Sequence, residues 1–341
     1  MTPERWKQIE STFQAAMDLP RGAREAFLQT ACKDDDALLR YVRSLIKQSD
    51  QTGEFLERPA MEVEAASMAK SGPALIGSTI GNYRVDSFIG AGGMAEVYRA
   101  CDSKHGRDVA LKVIEVSAMS GADRIGRFRR EARVLSSLQH PNIAAMYEFV
   151  EEHGIHALAL ELVDGESLSQ RLARGRPSVA ETMNIARQIA EGVKAAHAQE
   201  IIHRDLKPDN VIIAGDGTVK ILDFGIARIL GATSESIWLT PMTRSALIVG
   251  TAAYMSPERI QGETGGKAVD VWAWGCILYE MLSGRRAFDG QTLGGISTKI
   301  LEQDPDWNAL PSDVPARISE LLRSCLEKDP SRRPATISLG A

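Results

Sequence analysis

The hydrophobic positions of the first fifty residues recur at helical intervals. Trp6, Ile9, Phe13 and Met17 fall on one face, with Thr2 placed to cap a helix and Pro3 at its first helical position. Pro20 breaks this run from a second that carries Ala23, Ala26 and Phe27. The acidic trio Asp34, Asp35 and Asp36 suits the N-terminus of a third, with Leu38, Leu39, Val42, Leu45 and Ile46. The pattern then fades from 49 to 79, which reads as a linker, with a helical stretch from Met61 to Lys70 before Ser71-Gly72-Pro73. From residue 80 the pattern changes. Tyr83-Arg84-Val85, Val109-Ala110-Leu111-Lys112-Val113 and Ala157-Leu158-Ala159-Leu160-Glu161-Leu162-Val163 read as strands. Between them Phe128, Ala132, Leu135 and Leu138 share one face of a helix that Pro141 is expected to end. Later, Ile185, Ile189, Val193 and Ala196 again show helical spacing. The predicted organisation is a small all-α module (1–48), a linker (49–79) and an α+β body (80–338), strand-rich over 80–163 and helix-rich over 164–338. So short a helical module makes only a marginal core by itself. It is expected to dock on the larger body or to self-associate, as in a homodimer.

The chemistry concentrates in His203-Arg204-Asp205-Leu206-Lys207-Pro208-Asp209-Asn210 and, shortly after, Asp223-Phe224-Gly225. These segments supply a carboxylate base, a lysine, an amide and a second carboxylate, which is the set that phosphoryl transfer needs. Upstream, Ile89-Gly90-Ala91-Gly92-Gly93-Met94-Ala95-Glu96-Val97 is a glycine-rich run whose backbone amides could approach phosphates. Lys112 lies inside an apolar strand, where an ammonium costs free energy unless it is paired. Downstream come Gly250-Thr251-Ala252-Ala253-Tyr254-Met255-Ser256-Pro257-Glu258, Asp270 before Trp272 and Trp274, and Arg333. In this order and spacing the motifs resemble the eukaryotic-type (Hanks-type) protein kinases, in their bacterial serine/threonine branch. Ala95 stands where the family's third loop glycine falls, and Ser256 where many relatives carry alanine.

The resemblance implies the bilobal protein kinase fold, with a small β-rich lobe over a larger helical one. It implies ATP as phosphoryl donor, Mg2+ or Mn2+ as the ion, and protein serine or threonine hydroxyls as acceptors. By the same resemblance Asp205 orients the acceptor hydroxyl and Lys207 neutralises the transferred group. Lys112 holds the α- and β-phosphates and pairs with Glu131, and Asn210 and Asp223 hold the metal. Gly90 and Gly92 cover the phosphates. Ile89, Val97 and Ala110 roof the adenine, Ile212 floors it, Leu160 closes the back, and the backbone of Glu161 and Val163 hydrogen-bonds it. Thr251 bridges the catalytic aspartate and lysine, which favours serine/threonine over tyrosine acceptors. Glu258 pairs with Arg333, and Asp270 holds the catalytic loop. Leu135, Met146, His203 and Phe224 form a column linking the lobes. Thr240, Thr243 and Ser245 are candidate autophosphorylation sites, with Arg204 as a cation that a phosphate would satisfy.

Composition narrows the field without adding chemistry. The formal charge of −5 over 341 residues argues against a nucleic-acid-binding surface. Cys32, Cys101, Cys276 and Cys325 lack paired spacing, as reduced cytoplasmic thiols do. His153 and His156 have no further ligands nearby to make a metal site. There is no apolar run long enough for a membrane span and no secretion signal at the start. Two other classes fit parts of the pattern. A pseudokinase or scaffold would usually lack the lysine, the base or a metal ligand, and none is missing. A small-molecule kinase would lack Ser256-Pro257-Glu258 and Thr251. The chain stops at Ile337-Ser338-Leu339-Gly340-Ala341, within what should be a final helix, so the natural protein is expected to continue.

Overall fold

The computed structural model of the chain describes residues 21–32, 75–92, 95–114, 122–224, 251–290 and 292–339, with isolated positions 12, 16, 19, 35, 42 and 43. Two compact units are present, one N-terminal and one that holds the described residues from Leu75 onward. In the first, helix α1 spans Arg21–Ala31. Leu28, Cys32, Ala16 and Val42 are buried there. The first and third helices expected from the sequence lie almost wholly outside the described residues.

The second unit opens with an antiparallel six-stranded sheet in the order β1-β2-β3-β4-β6-β5. Its strands are β1 (Thr79–Ile80), β2 (Tyr83–Gly92), β3 (Ala95–Asp102), β4 (Arg107–Ile114), β5 (Met146–Glu152) and β6 (Ile155–Glu161). Alternation of side chains gives this sheet two distinct faces. Val85, Tyr98, Val109, Leu111, Ala157 and Ala159 pack together on one, where Leu75 joins them. On the other, Ile114 and Leu158 belong to the core that continues into the rest of the molecule. Lys112 and Ala110 share the parity of Ile114, so they lie on that second face.

Helix α2 (Ala122–Ser136) buries Ala132 and Leu135 in this continuing core. It ends before Pro141, the stop expected from the sequence. The hydroxyls of Ser136 and Ser137 donate back to the Arg133 and Val134 carbonyls, closing the last turn locally.

The large lobe is built on two long helices. α4 (Val179–Ala198) follows the short α3 (Leu168–Ala173) and is capped by Ser178, whose side chain accepts from Glu181 N. Its buried face includes Ile185, Ile189, Val193 and Ala196, the spacing seen in the sequence. α6 (Ala268–Ser283) follows α5 (Pro257–Ile260) and is apolar almost all round, as a helix enclosed by others must be. A Cβ on Gly275 would stand 3.0 Å from that of Cys325, so the bare backbone lets α8 (Ala316–Cys325) approach closely. α7 (Leu293–Glu302) completes the lobe. No helix of the described residues is long and apolar enough to cross a membrane.

Between the lobes lies a three-stranded sheet of β7 (Gly165–Ser167), β8 (Val211–Ala214) and β9 (Val219–Ile221), in that order. A Cβ on Gly165 would come within 2.3 Å of the Ile213 carbonyl oxygen. Gly165→Ala should therefore destabilise the unit by about 1–3 kcal/mol, the usual cost of overpacking, read as a lower denaturation midpoint in urea.

Candidate functional site

Asp270, in the first turn of α6, organises the segment that carries the chemistry. Its buried carboxylate accepts the backbone N–H groups of His203 and Arg204, each at 2.8 Å, and lies 2.7 Å from His197 Nε2. Three partners on one carboxylate hold Arg204 in a left-handed backbone conformation, φ 68°. That turn presents Asp205 outward. No spacing marks His197 in the chain, because a histidine near a helix end carries no periodic signal.

Around Asp205 the polar side chains are mutually fixed. Lys207 Nζ lies 3.0 Å from Asp205 Oδ2 and donates to Thr251 Oγ1 at 3.1 Å. Asn210 Nδ2 donates to the Asp205 carbonyl at 2.7 Å and to its Oδ2 at 3.2 Å. Thr251 sits far along the chain, so a base, a cation and a hydroxyl from two segments meet at one point.

The second carboxylate arrives through β9. Leu222 N donates to the Asn210 carbonyl at 2.8 Å, and the Leu222 carbonyl lies 2.8 Å from His203 Nε2. Asp223 then takes a left-handed conformation, φ 61°. Phe224 packs against His203, ring centroids 4.6 Å apart, and is buried in the shared core with Leu135 and Met146. The left-handed turn brings Asp223 Oδ2 to 2.6 Å from Lys112 Nζ. The carboxylate set against Lys112 is thus Asp223, where the resemblance implied Glu131. The half-buried ammonium needs a carboxylate, and the turn after Leu222 delivers Asp223 to it.

Lys112 belongs to a row across the sheet. Gly90 faces Val97, Val97 faces Lys112, and Lys112 faces Leu158. Ala110 pairs with Leu160 in a parallel row two residues away. Ile89 falls at a register shift in β2 and is 51% exposed. Gly92 pairs with Ala95, which closes the glycine-rich hairpin around two residues outside the described set. Glu161 ends β6, Val163 is half-buried in the crossing to the large lobe, and Ile212 lies on β8. Thr240, Thr243 and Ser245 lie outside the described residues, as does Gly225.

The segment after Thr251 is anchored from below. Arg333 meets Glu258 through two bonds, Nη1 to Oε1 at 2.7 Å and Nη2 to Oε2 at 2.8 Å, with both side chains buried. Burial alone would raise the Glu258 carboxyl, but the bonds and charge of Arg333 outweigh it and hold it below the usual carboxylate range. Arg259 donates to the Arg204 carbonyl, and burial lowers its guanidinium from its ordinary value. No sequence signal pointed to Arg259. His153 and His156 diverge, one exposed at a turn and one buried against Phe149. None of the four cysteines forms a disulfide.

The donor set fits a hard divalent ion. A carboxylate (Asp223) and an amide (Asn210) offer oxygen ligands of the type such ions take. No group of three or more His, Cys, Asp or Glu side chains among the described residues could hold a metal.

Comparison with known proteins points the same way. The family model described as protein kinase domain matches residues 83–339. The serine/threonine-protein kinase PknA of Mycobacterium tuberculosis is 37% identical over 265 residues, covering 76% of this chain and 59% of that protein. PrkC of Bacillus subtilis, also a serine/threonine-protein kinase, is 38% identical over 268 residues, 77% of this chain and 40% of that protein. The chain thus spans only part of the length of these relatives. The solved kinase domain of Mycobacterium tuberculosis PknI superposes with a TM-score of 0.60 at 26% identity, covering 76% of this chain and 94% of that one.

Proposed function

The chain belongs to the protein kinase family, and from that premise we propose that it transfers the γ-phosphoryl group of ATP to serine or threonine hydroxyls of proteins. The observation that carries this reading is the contact of Lys207 with both Asp205 and Thr251, at 3.0 Å and 3.1 Å. A hydroxyl-bearing residue at that junction joins the acceptor-binding segment to the base.

Each residue has a defined task in this reading. Asp205 accepts and orients the acceptor hydroxyl. Lys207 balances charge on the group in transit. Lys112 holds the α- and β-phosphates, to which its ammonium turns from Asp223. Gly90 and Gly92 let backbone amides reach the phosphates. Glu161 and Val163 bond the adenine edge, with Ile89, Val97 and Ala110 above the ring and Ile212 below. Glu131, half-buried on α2, is the carboxylate within the small lobe that Lys112 would engage once Asp223 turns to a metal. Asn210 and Asp223 would hold the ion, Mg2+ or Mn2+, which supplies neutralisation of phosphate charge. Positioning and electrostatics account for most of the acceleration in such reactions.

The helices of residues 1–48 would act as a docking or dimerising module, joined by 49–79 to the kinase domain of 80–338, in a cytoplasmic setting. Autophosphorylation would fall at Thr243 or Ser245, with Thr240 as a further site. Intact-mass analysis and peptide mapping after incubation with magnesium-ATP should find phosphate on one of these side chains, and a segment left unmodified would rule the sites out. The wider assignment is tested by offering a generic protein acceptor beside an aminoglycoside. Phosphate on the protein alone is expected, and phosphate on the aminoglycoside would reassign the chain to small-molecule chemistry.

A further inference from the structure

Behind the cleft a set of polar contacts converges on one side chain that phosphoryl transfer itself does not use. Glu161 ends β6 where the chain crosses to the large lobe. Its backbone N–H donates to the Ala145 carbonyl at 2.8 Å, and its Oε2 accepts the Ala145 N–H at 2.9 Å, so it grips Ala145 from both sides. Lys220, on β9, brings its ammonium to 2.8 Å from Oε1 and 3.0 Å from Oε2 of the same carboxylate. β9 is also bound to the loop before Ala145. Ala144 N donates to the Ile221 carbonyl and Ile221 N to the Asn142 carbonyl, each at 2.9 Å. Asn142 in turn donates to Gln188 Oε1 and the Val219 carbonyl, both at 2.9 Å. The Glu161 and Lys220 side chains are 26% and 19% exposed, so water screens their attraction only in part.

Three segments therefore meet at this carboxylate: the crossing between the lobes, the loop 142–145, and the strand that leads to Asp223. The Glu161 N–H is committed to the Ala145 carbonyl and so is not available to a purine edge.

We propose that the Glu161–Lys220 pair is a positioning device for purine selectivity, holding the backbone of the crossing so that it accepts the 6-amino group of adenine and opposes the 6-oxo group of guanine. This rests on the kinase reading of the cleft. A fixed acceptor rewards a donor and leaves a facing carbonyl unpaired, and the penalty of that unpaired group is what separates the two bases. An acceptor free to shift would lose the distinction. Loosening the pair should therefore weaken ATP more than GTP, an outcome that a purely stabilising salt bridge would not give.

The test measures ATP and GTP affinity by competition against a fluorescent ATP analogue, on the full chain and on Lys220→Met and Lys220→Arg. Lys220→Met should weaken ATP by about threefold to fivefold, the size expected of a partly exposed ion pair, with GTP little changed. Lys220→Arg should retain the ATP preference. Should Lys220→Met fold poorly, Glu161→Gln keeps an acceptor for Ala145 N–H and removes the charge, and it should narrow the preference in the same direction. An unchanged ATP-to-GTP ratio in Lys220→Met or in Glu161→Gln, whatever happens to the melting temperature, would overturn the inference while leaving the kinase assignment intact. If the unmodified chain binds neither nucleotide, the kinase assignment fails and this inference falls with it.

Discussion

Asp205→Asn should slow phosphoryl transfer by about 10²- to 10⁴-fold, the range a positioned acid–base group supplies, and leave nucleotide affinity near that of the unmodified chain. The asymmetry comes from the contacts. Asp205 meets Lys207 and Asn210 in its own segment, whereas the Glu161–Val163 crossing and the row through Val97 and Lys112 belong to other elements. An amide in its place cannot accept a proton. Its oxygen can still accept from Lys207 Nζ and Asn210 Nδ2, which reach the same Asp205 Oδ2, so the loop should keep its shape. Single-turnover rates beside nucleotide titration separate the two effects. Unimpaired transfer by Asp205→Asn would remove Asp205 from the role of base.

Arg333→Leu should cost about 3–5 kcal/mol of stability, because it leaves the buried Glu258 carboxylate without its partner. Arg333 is also satisfied by the carbonyls of Glu327, Lys328 and Ala268, so its loss opens several bonds at once. The pH dependence follows from the sign of the Glu258 shift. Its carboxyl sits lower in the folded chain than in the unfolded one, so the pair stabilises fully above the unfolded carboxylate value, about 4.3, and loses that contribution as pH falls through the folded value. In Arg333→Leu the isolated carboxyl is raised instead, so the deficit against the unmodified chain should shrink on acidification. Urea denaturation of both proteins across the acid range checks this, and a deficit that stays constant with pH would mean the pair carries little of the energy. Because Glu258 lies in the short helix that follows Thr251, the variant should lose activity as well as stability.

Much of this was readable in the chain, for identifiable reasons. The apolar run Val109–Val113 reads as a strand holding one lysine that needs a partner, and β4 carries Lys112 there, ion-paired. The spacing of Asp205, Lys207 and Asn210 is short enough that one tight turn brings them together. Buried partners such as Glu258 and Arg333 were legible from the family pattern, although they lie 75 residues apart. What could not be read was choice between partners. Lys112 has Glu131 and Asp223 as available carboxylates, and the left-handed backbone at Asp223 decides between them. Nor does any local pattern mark His197, Arg259 or Lys220. Each acts through a contact set by packing between segments distant in sequence, and single side chains of that kind leave no periodic trace. The end of α2 shows the converse case. Pro141 is a strong stop signal, but two serine hydroxyls had already closed the helix.

The most direct test of phosphotransfer is incorporation of labelled γ-phosphate from magnesium-ATP into the chain itself and into a generic protein acceptor, for the unmodified chain beside Asp223→Ala. Label on serine or threonine with the unmodified chain, and none with Asp223→Ala, is the expected result. Nucleotide binding with no label on either protein would contradict catalysis and leave a chain that binds ATP without turning it over.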